Sequence, residues 1–88
     1  MSYKIEISDT ALKDLKRLDS TGRIKILKYI EGVLSVIKDP RLTGKALTGN
    51  PGEFWRYRIG DFRIICKIYD EKLTVLVVKI AHRKNVYQ

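Results

Sequence analysis

The spacing of apolar residues changes twice along this chain, and each change marks a different kind of element. Tyr3-Lys4-Ile5-Glu6-Ile7 alternates apolar and charged residues, the period-two signature of a short strand. From Ala11 the step lengthens to three and four. Ala11, Leu12, Leu15 and Leu18 share a stripe with Lys13, Asp14, Lys16 and Arg17 outside it, which predicts a helix through about Leu18. Ser8-Asp9-Thr10 offers the N-caps. Asp19-Ser20-Thr21 is a second cap-rich break, followed by a longer helix over about Thr21 to Lys38. Ile24, Leu27, Ile30, Leu34 and Ile37 form its stripe, Ile26 and Val33 widen it, and Asp39-Pro40 stops it. Arg41 to Glu53 reads as a loop, with Gly44, Gly49, Pro51 and Gly52 and with Leu42 and Leu47 as anchors.

The period then returns to two. Strands are predicted at 54–59, 62–69 and 73–80, turning at Gly60-Asp61 and at Asp70-Glu71-Lys72. The order β-α-α-β-β-β gives one α+β domain over residues 1–88, a helical hairpin on one face of a small, mainly antiparallel sheet. Alternation puts Arg56 and Arg58 on one face and Trp55, Tyr57 and Ile59 on the other. It likewise sets Ile64, Cys66 and Ile68 opposite Arg63, Ile65 and Lys67. One face is apolar and needs a cover; the other carries fixed cations. Trp55 and Tyr57 are read as core aromatics.

Charge sharpens that contrast. The net charge is +8, with ten basic against seven acidic residues in 1–53 and eight against three in 54–88. The excess therefore sits with the strands, which suits a polyanionic partner such as nucleic acid. Eighty-eight residues allow a small but adequate core. Cys66 stands alone, so there is no disulfide framework and a reducing cytoplasm is the natural compartment; among Ile64, Ile65 and Ile68 it reads as a buried hydrophobe. One His and one Cys cannot make a zinc site, and no cofactor motif is present. The Gly-Lys and Thr-Gly pairs of the loop lack Walker spacing. No apolar run is long enough to span a membrane.

Taken together, the helical hairpin, the Leu42-to-Leu47 loop, Phe54-Trp55-Arg56-Tyr57-Arg58, Gly60-Asp61-Phe62-Arg63-Ile64-Ile65 and His82-Arg83-Lys84-Asn85-Val86-Tyr87 make the chain resemble a known family. It resembles the RelE/ParE superfamily of type II toxin–antitoxin toxins, and specifically the RelE-like messenger-RNA interferases. The resemblance implies a metal-independent endoribonuclease that enters the A site of the 70S ribosome and cuts mRNA there. The ribose 2′-oxygen attacks the adjacent phosphate, leaving a 2′,3′-cyclic phosphate and a 5′-hydroxyl. Such chemistry needs a base, cations on the crowded phosphate and an acid for the leaving oxygen. The implied partners are a small RelB-like or other antitoxin, the ribosome and mRNA, with no membrane and no metal.

Carried over residue by residue, the resemblance implies a catalytic set of Arg56, Arg58, Arg63, His82, Arg83 and Tyr87. Arg56 and Arg58 fall where the family has a basic pair, commonly lysines. Arg63 falls on its phosphate-binding arginine, Arg83 on its C-terminal arginine and Tyr87 on a substrate-stacking tyrosine. Arginine is a poor base, so His82 is the candidate for that role. Lys67, Lys79 and Lys84 are expected at the rim, docking ribosomal RNA. The alternatives are a ParE-like poison of DNA gyrase without nuclease activity and a non-catalytic nucleic-acid-binding member.

Overall fold

The computed structural model describes residues 2–47 and 54–82. Strand β1 (Lys4–Ile7) leads into helix α1 (Asp9–Arg17) and helix α2 (Ser20–Tyr29). A two-residue strand, β2 (Lys45–Ala46), follows within the predicted loop, before β3 (Trp55–Ile59), β4 (Phe62–Tyr69) and β5 (Thr74–His82). The five strands lie in the order β1-β5-β4-β3-β2, antiparallel except for the parallel pair β1 and β5. Both helices pack on one face, as the order of elements predicts.

The caps explain where the helices begin. The Ser8 hydroxyl accepts from the Ala11 N–H at 3.1 Å and an Asp19 carboxylate oxygen from the Gly22 N–H at 2.8 Å, each satisfying an amide that has no partner within its helix. Arg23 fastens the hairpin, its guanidinium donating to the carbonyls of Leu15 (3.2 Å) and Leu18 (2.8 Å) at the end of α1. That orientation sets α2's buried line as Gly22, Ile26, Ile30 and Leu34, leaving Ile24 half in solvent at 51 %. Ile26, Ile30 and Leu34 of the predicted stripe are buried and Leu27 packs against them, while Ile24 is not part of the buried line. The long second helix also ends earlier than its apolar pattern suggests. After Tyr29 it widens into a π-turn over Ile30–Leu34, where the Ser35 N–H bonds the Ile30 carbonyl at 2.9 Å.

Ala11, Leu15, Ile26, Ile30 and Leu34 meet Tyr57, Phe62, Ile64, Cys66, Val75, Val77 and Ile80 from the sheet. Tyr57 is fully buried, and its hydroxyl donates to the Pro40 carbonyl at 2.6 Å. Pro40, not Leu42, thus anchors the loop; Leu42 is 69 % exposed. Gly22 lies against Phe62 so closely that a β-carbon there would stand 2.7 Å from the ring.

Strand β5 breaks its alternation once. Cys66 faces Val77 across the ladder while Ile65 faces Lys79, so Val78 is an extra, unpaired residue. Val77 and Ile80 consequently both point at the helices, three residues apart and buried. Beyond Ile7, β1 no longer covers the β5 edge, and helix α1 takes over. The Ser8 hydroxyl donates to the Val78 carbonyl (3.1 Å), and Asp14 Oδ2 accepts from the Ile80 N–H (2.9 Å). Asp14, predicted to lie outside, is turned inward by this duty, its side chain 12 % exposed.

Candidate functional site

No described element covers the sheet face away from the helices, and the ladder register shows what it carries. Arg58 stands directly opposite Arg63, Arg56 opposite Ile65, and Lys45 opposite Arg56. Gly60 turns the β3–β4 hairpin at φ +58°, a conformation easy only for glycine, which brings Arg58 and Arg63 together two residues from the tip on each side. Arg63 has Ala81 as its neighbour on β5, so a small side chain flanks it there. Directly opposed like charges destabilise a sheet. Two such pairs lie on adjoining ladders, Lys45 with Arg56 and Arg58 with Arg63.

The register thus brings Arg56, Arg58 and Arg63 to one face, as alternation predicts. It does not bring His82 to them. The bulge at Val78 turns His82 over to the helix side, where it pairs with Phe62 across the ladder and its ring meets the Phe62 ring edge-on at 4.8 Å. Arg17, Leu18 and Asp19 line the recess beside it. The expected base therefore lies across the sheet from the arginines. Of the rim lysines, Lys67 stands over the Phe54 ring at 5.2 Å and Lys79 lies 3.8 Å from Asp14. Arg83, Lys84 and Tyr87 lie outside the described residues.

A second feature adjoins the arginines. Tyr29, Thr43, Gly44, Lys45, Arg56 and Arg58 enclose a cleft of about 270 Å³ at the β3 edge. The sequence offers Thr43-Gly44-Lys45 only as Thr-Gly and Gly-Lys pairs without Walker spacing, and neither Lys45 nor Thr43 is among the expected site residues. The usable signal is Gly44, which at φ +79° holds the loop against β3. At the opposite end of the sheet, Asp70 accepts from the Arg41 guanidinium (2.8 Å) and the Tyr3 hydroxyl (2.7 Å). These bonds, Arg41's foremost, hold its carboxyl below the usual carboxylate range. Cys66 is fully buried, and burial pushes its thiol up to about 12, which makes it a packing group and no nucleophile. Among the described residues no cluster of His, Cys, Asp and Glu could hold a metal ion, and no helix is long and apolar enough to cross a membrane.

The family model described as "ParE toxin of type II toxin-antitoxin system, parDE" matches residues 5–87. Toxin RelG of Mycobacterium tuberculosis is 28% identical over 88 residues, spanning 100% of this chain and 99% of its own. The mRNA interferase toxin RelE of Escherichia coli (strain K12) is 28% identical over 86 residues, spanning 97% of this chain and 87% of its own. In the crystal structure of the toxin–antitoxin complex RelBE2 from M. tuberculosis, one chain superposes with a TM-score of 0.83 at 28% identity. That match covers 97% of this chain and 95% of the other. By family match, fold and relatives alike, the chain belongs to the RelE/ParE superfamily, the toxins of type II toxin–antitoxin systems.

Proposed function

We propose that this toxin is a ribosome-dependent endoribonuclease that cuts mRNA in the A site and is silenced by a small antitoxin. The observation that carries the reading is the direct opposition of Arg58 and Arg63 on the open sheet face, with Arg56 beside them. Planar guanidinium groups grip a phosphate through paired hydrogen bonds. Two of them facing each other hold one phosphodiester from both sides and neutralise the charge that builds as the 2′-oxygen attacks. Bending the strand between them brings that oxygen into line. The relative named mRNA interferase toxin RelE supports the activity, and the RelBE2 complex supports an antitoxin partner.

In this reading Arg56, Arg58 and Arg63 bind and charge-stabilise the phosphate, Arg83 protonates or stabilises the leaving oxygen, and Tyr87 stacks on a base. The 2′-hydroxyl gives up its proton to solvent as it attacks, and the rate comes chiefly from positioning and charge. His82, packed on Phe62, fixes the end of β5. Lys67, Lys79 and Lys84 meet ribosomal RNA. The matched family's description as ParE favours a second reading, a gyrase poison that uses the same fold without cleavage.

Mapping RNA 5′-ends by primer extension in a purified translation system separates the two. Cuts inside A-site codons, absent from the same RNA without ribosomes, are the expected result. Intact messenger together with stalled gyrase supercoiling would overturn the nuclease reading in favour of the second.

A further inference from the structure

We propose that the cleft between the Thr43-Gly44-Lys45 turn and β3 is a second phosphate site for the same RNA strand. It would seat the phosphodiester adjacent to the one held by Arg58 and Arg63, with Lys45 as its main cation. The inference rests on the reading of the arginine face as RNA-binding and extends it round the sheet edge.

Four observations carry it. Among the described residues the lining is chemically one-sided: three cations (Lys45, Arg56 and Arg58), two hydroxyls (Tyr29 and Thr43) and no carboxylate. None of the three cations forms an ion pair with a described residue, although Lys45 and Arg56 stand opposite each other on the ladder. With no carboxylate among the described lining residues, their mutual repulsion is not relieved by any of them. An anion relieves it.

The site is also built and not merely a gap. Gly44 presses the turn onto β3, so that a β-carbon there would run into the Arg56 carbonyl and stand 2.7 Å from Trp55 Nε1 and 2.9 Å from Tyr57 Cδ1. The Trp55 indole donates to the Thr43 carbonyl at 2.8 Å, and the Tyr29 and Thr43 hydroxyls bond at 3.1 Å. The backbone beside Lys45 is thereby fixed before any ligand arrives, which spares the ligand that ordering. In size, about 270 Å³ suits a phosphate with part of its sugar and falls below the range of about 300–1,000 Å³ usual for drug-sized ligands.

Continuity supplies the last link. Arg58 lines both this cleft and the recess that holds Gly60, Asp61, Phe62 and Arg63 at the hairpin tip. Strand β2 pairs only with Trp55 and Arg56, so beside Arg58 the β3 edge has no strand neighbour. A single strand of RNA can pass from the arginine face over that edge into the cleft, presenting one phosphate to each.

The test is a binding cycle on a 2′-O-methyl RNA hexamer, which cannot be cut. Wild type, Lys45→Ala, Lys45→Gln and Arg63→Ala are titrated by fluorescence anisotropy as salt is raised. Loss of one phosphate contact should weaken binding about three- to tenfold and flatten the slope of log affinity against log salt by about 0.7. Hexamers carrying one neutral methylphosphonate then locate each contact. One linkage should matter to wild type and not to either Lys45 variant, and a neighbouring linkage should behave that way for Arg63→Ala. Lys45 is exposed and its side chain bonds no described residue, so its replacement leaves the fold in place. A normal response to Arg63→Ala with none to Lys45→Ala would overturn the second site alone. No response to either would overturn the arginine reading and the site with it. If Lys45→Ala spared the RNA but weakened an acidic antitoxin, the proposal would also be overturned, and the cleft would belong to a protein contact.

Discussion

Gly22 and Gly32 lie ten residues apart on the same helical arm, yet adding a methyl group to each should have opposite effects. At Gly22 the new β-carbon would stand 2.7 Å from Phe62 Cζ and 3.2 Å from Asp19 Oδ1, so the ring must move. Forcing a methyl into filled space costs about 1–3 kcal/mol. Replacing glycine by alanine in a helix returns about 0.5–1 kcal/mol, leaving a net loss of about 1 kcal/mol. At Gly32 nothing lies within 4 Å, so only the gain remains. In a chain of 88 residues 1 kcal/mol moves Tm by about 4–8 °C. Gly22→Ala should therefore lower Tm by that amount, and Gly32→Ala should raise it by about half as much. The assay is thermal unfolding followed by circular dichroism, with urea titration as a check. Phe62 immediately precedes Arg63, so Gly22→Ala should also slow RNA cleavage at temperatures where the variant is fully folded. Gly32→Ala should not. A Gly22→Ala protein as stable as wild type would refute the reasoning, because it would mean the ring has room to yield.

Other consequences follow from particular contacts. Asp14→Ala leaves the Ile80 N–H without its acceptor and should cost about 1–3 kcal/mol in urea unfolding. An equal midpoint would remove Asp14 from the account of the β5 bulge. Asp70 has a folded pKa below its unfolded one, so its contribution is complete above about pH 4 and is lost as pH falls through the folded value. The wild-type urea midpoint should therefore fall more steeply than that of Asp70→Asn below about pH 4, and parallel curves would contradict this. Cys66 should stay unreactive toward a disulfide reagent at pH 8 until urea unfolds the protein, since its buried thiol ionises only near about 12. Rapid labelling of the folded state would show the strand to be open.

How far the sequence reveals this molecule depends on whether a feature is local. Strand β4 and the Gly60-Asp61 turn are legible because alternation and turn chemistry sit in one short run, and the arginine face follows from them directly. Three features need the tertiary structure. The Val78 bulge reverses the phase of β5, and with strict alternation from Val77 His82 would have stood beside the arginines. Nothing in Leu76-Val77-Val78, apolar on both faces, marks where the extra residue falls. Asp14 looks like a solvent residue until β1 is seen to end at Ile7, leaving an amide on β5 for it to satisfy. The two-residue β2 is too short to carry a pattern, and without Walker spacing the Gly44-Lys45 pair gives no sign that it lines a cleft, although Gly44 holds the turn.

On the proposed reading, opposed arginines and not merely a basic surface do the cutting. That reading is tested most directly by comparing wild type with Arg58→Ala plus Arg63→Ala in a ribosome programmed with a single defined codon, scoring cleavage rate, antitoxin binding and Tm on the same preparations. Two lost charge-assisted contacts of about 1.5–3 kcal/mol each should slow cleavage by at least about 100-fold. Antitoxin binding and Tm should persist, the latter unchanged or slightly raised as the like-charge pair is relieved. Cleavage at the wild-type rate in a folded double variant would contradict the account.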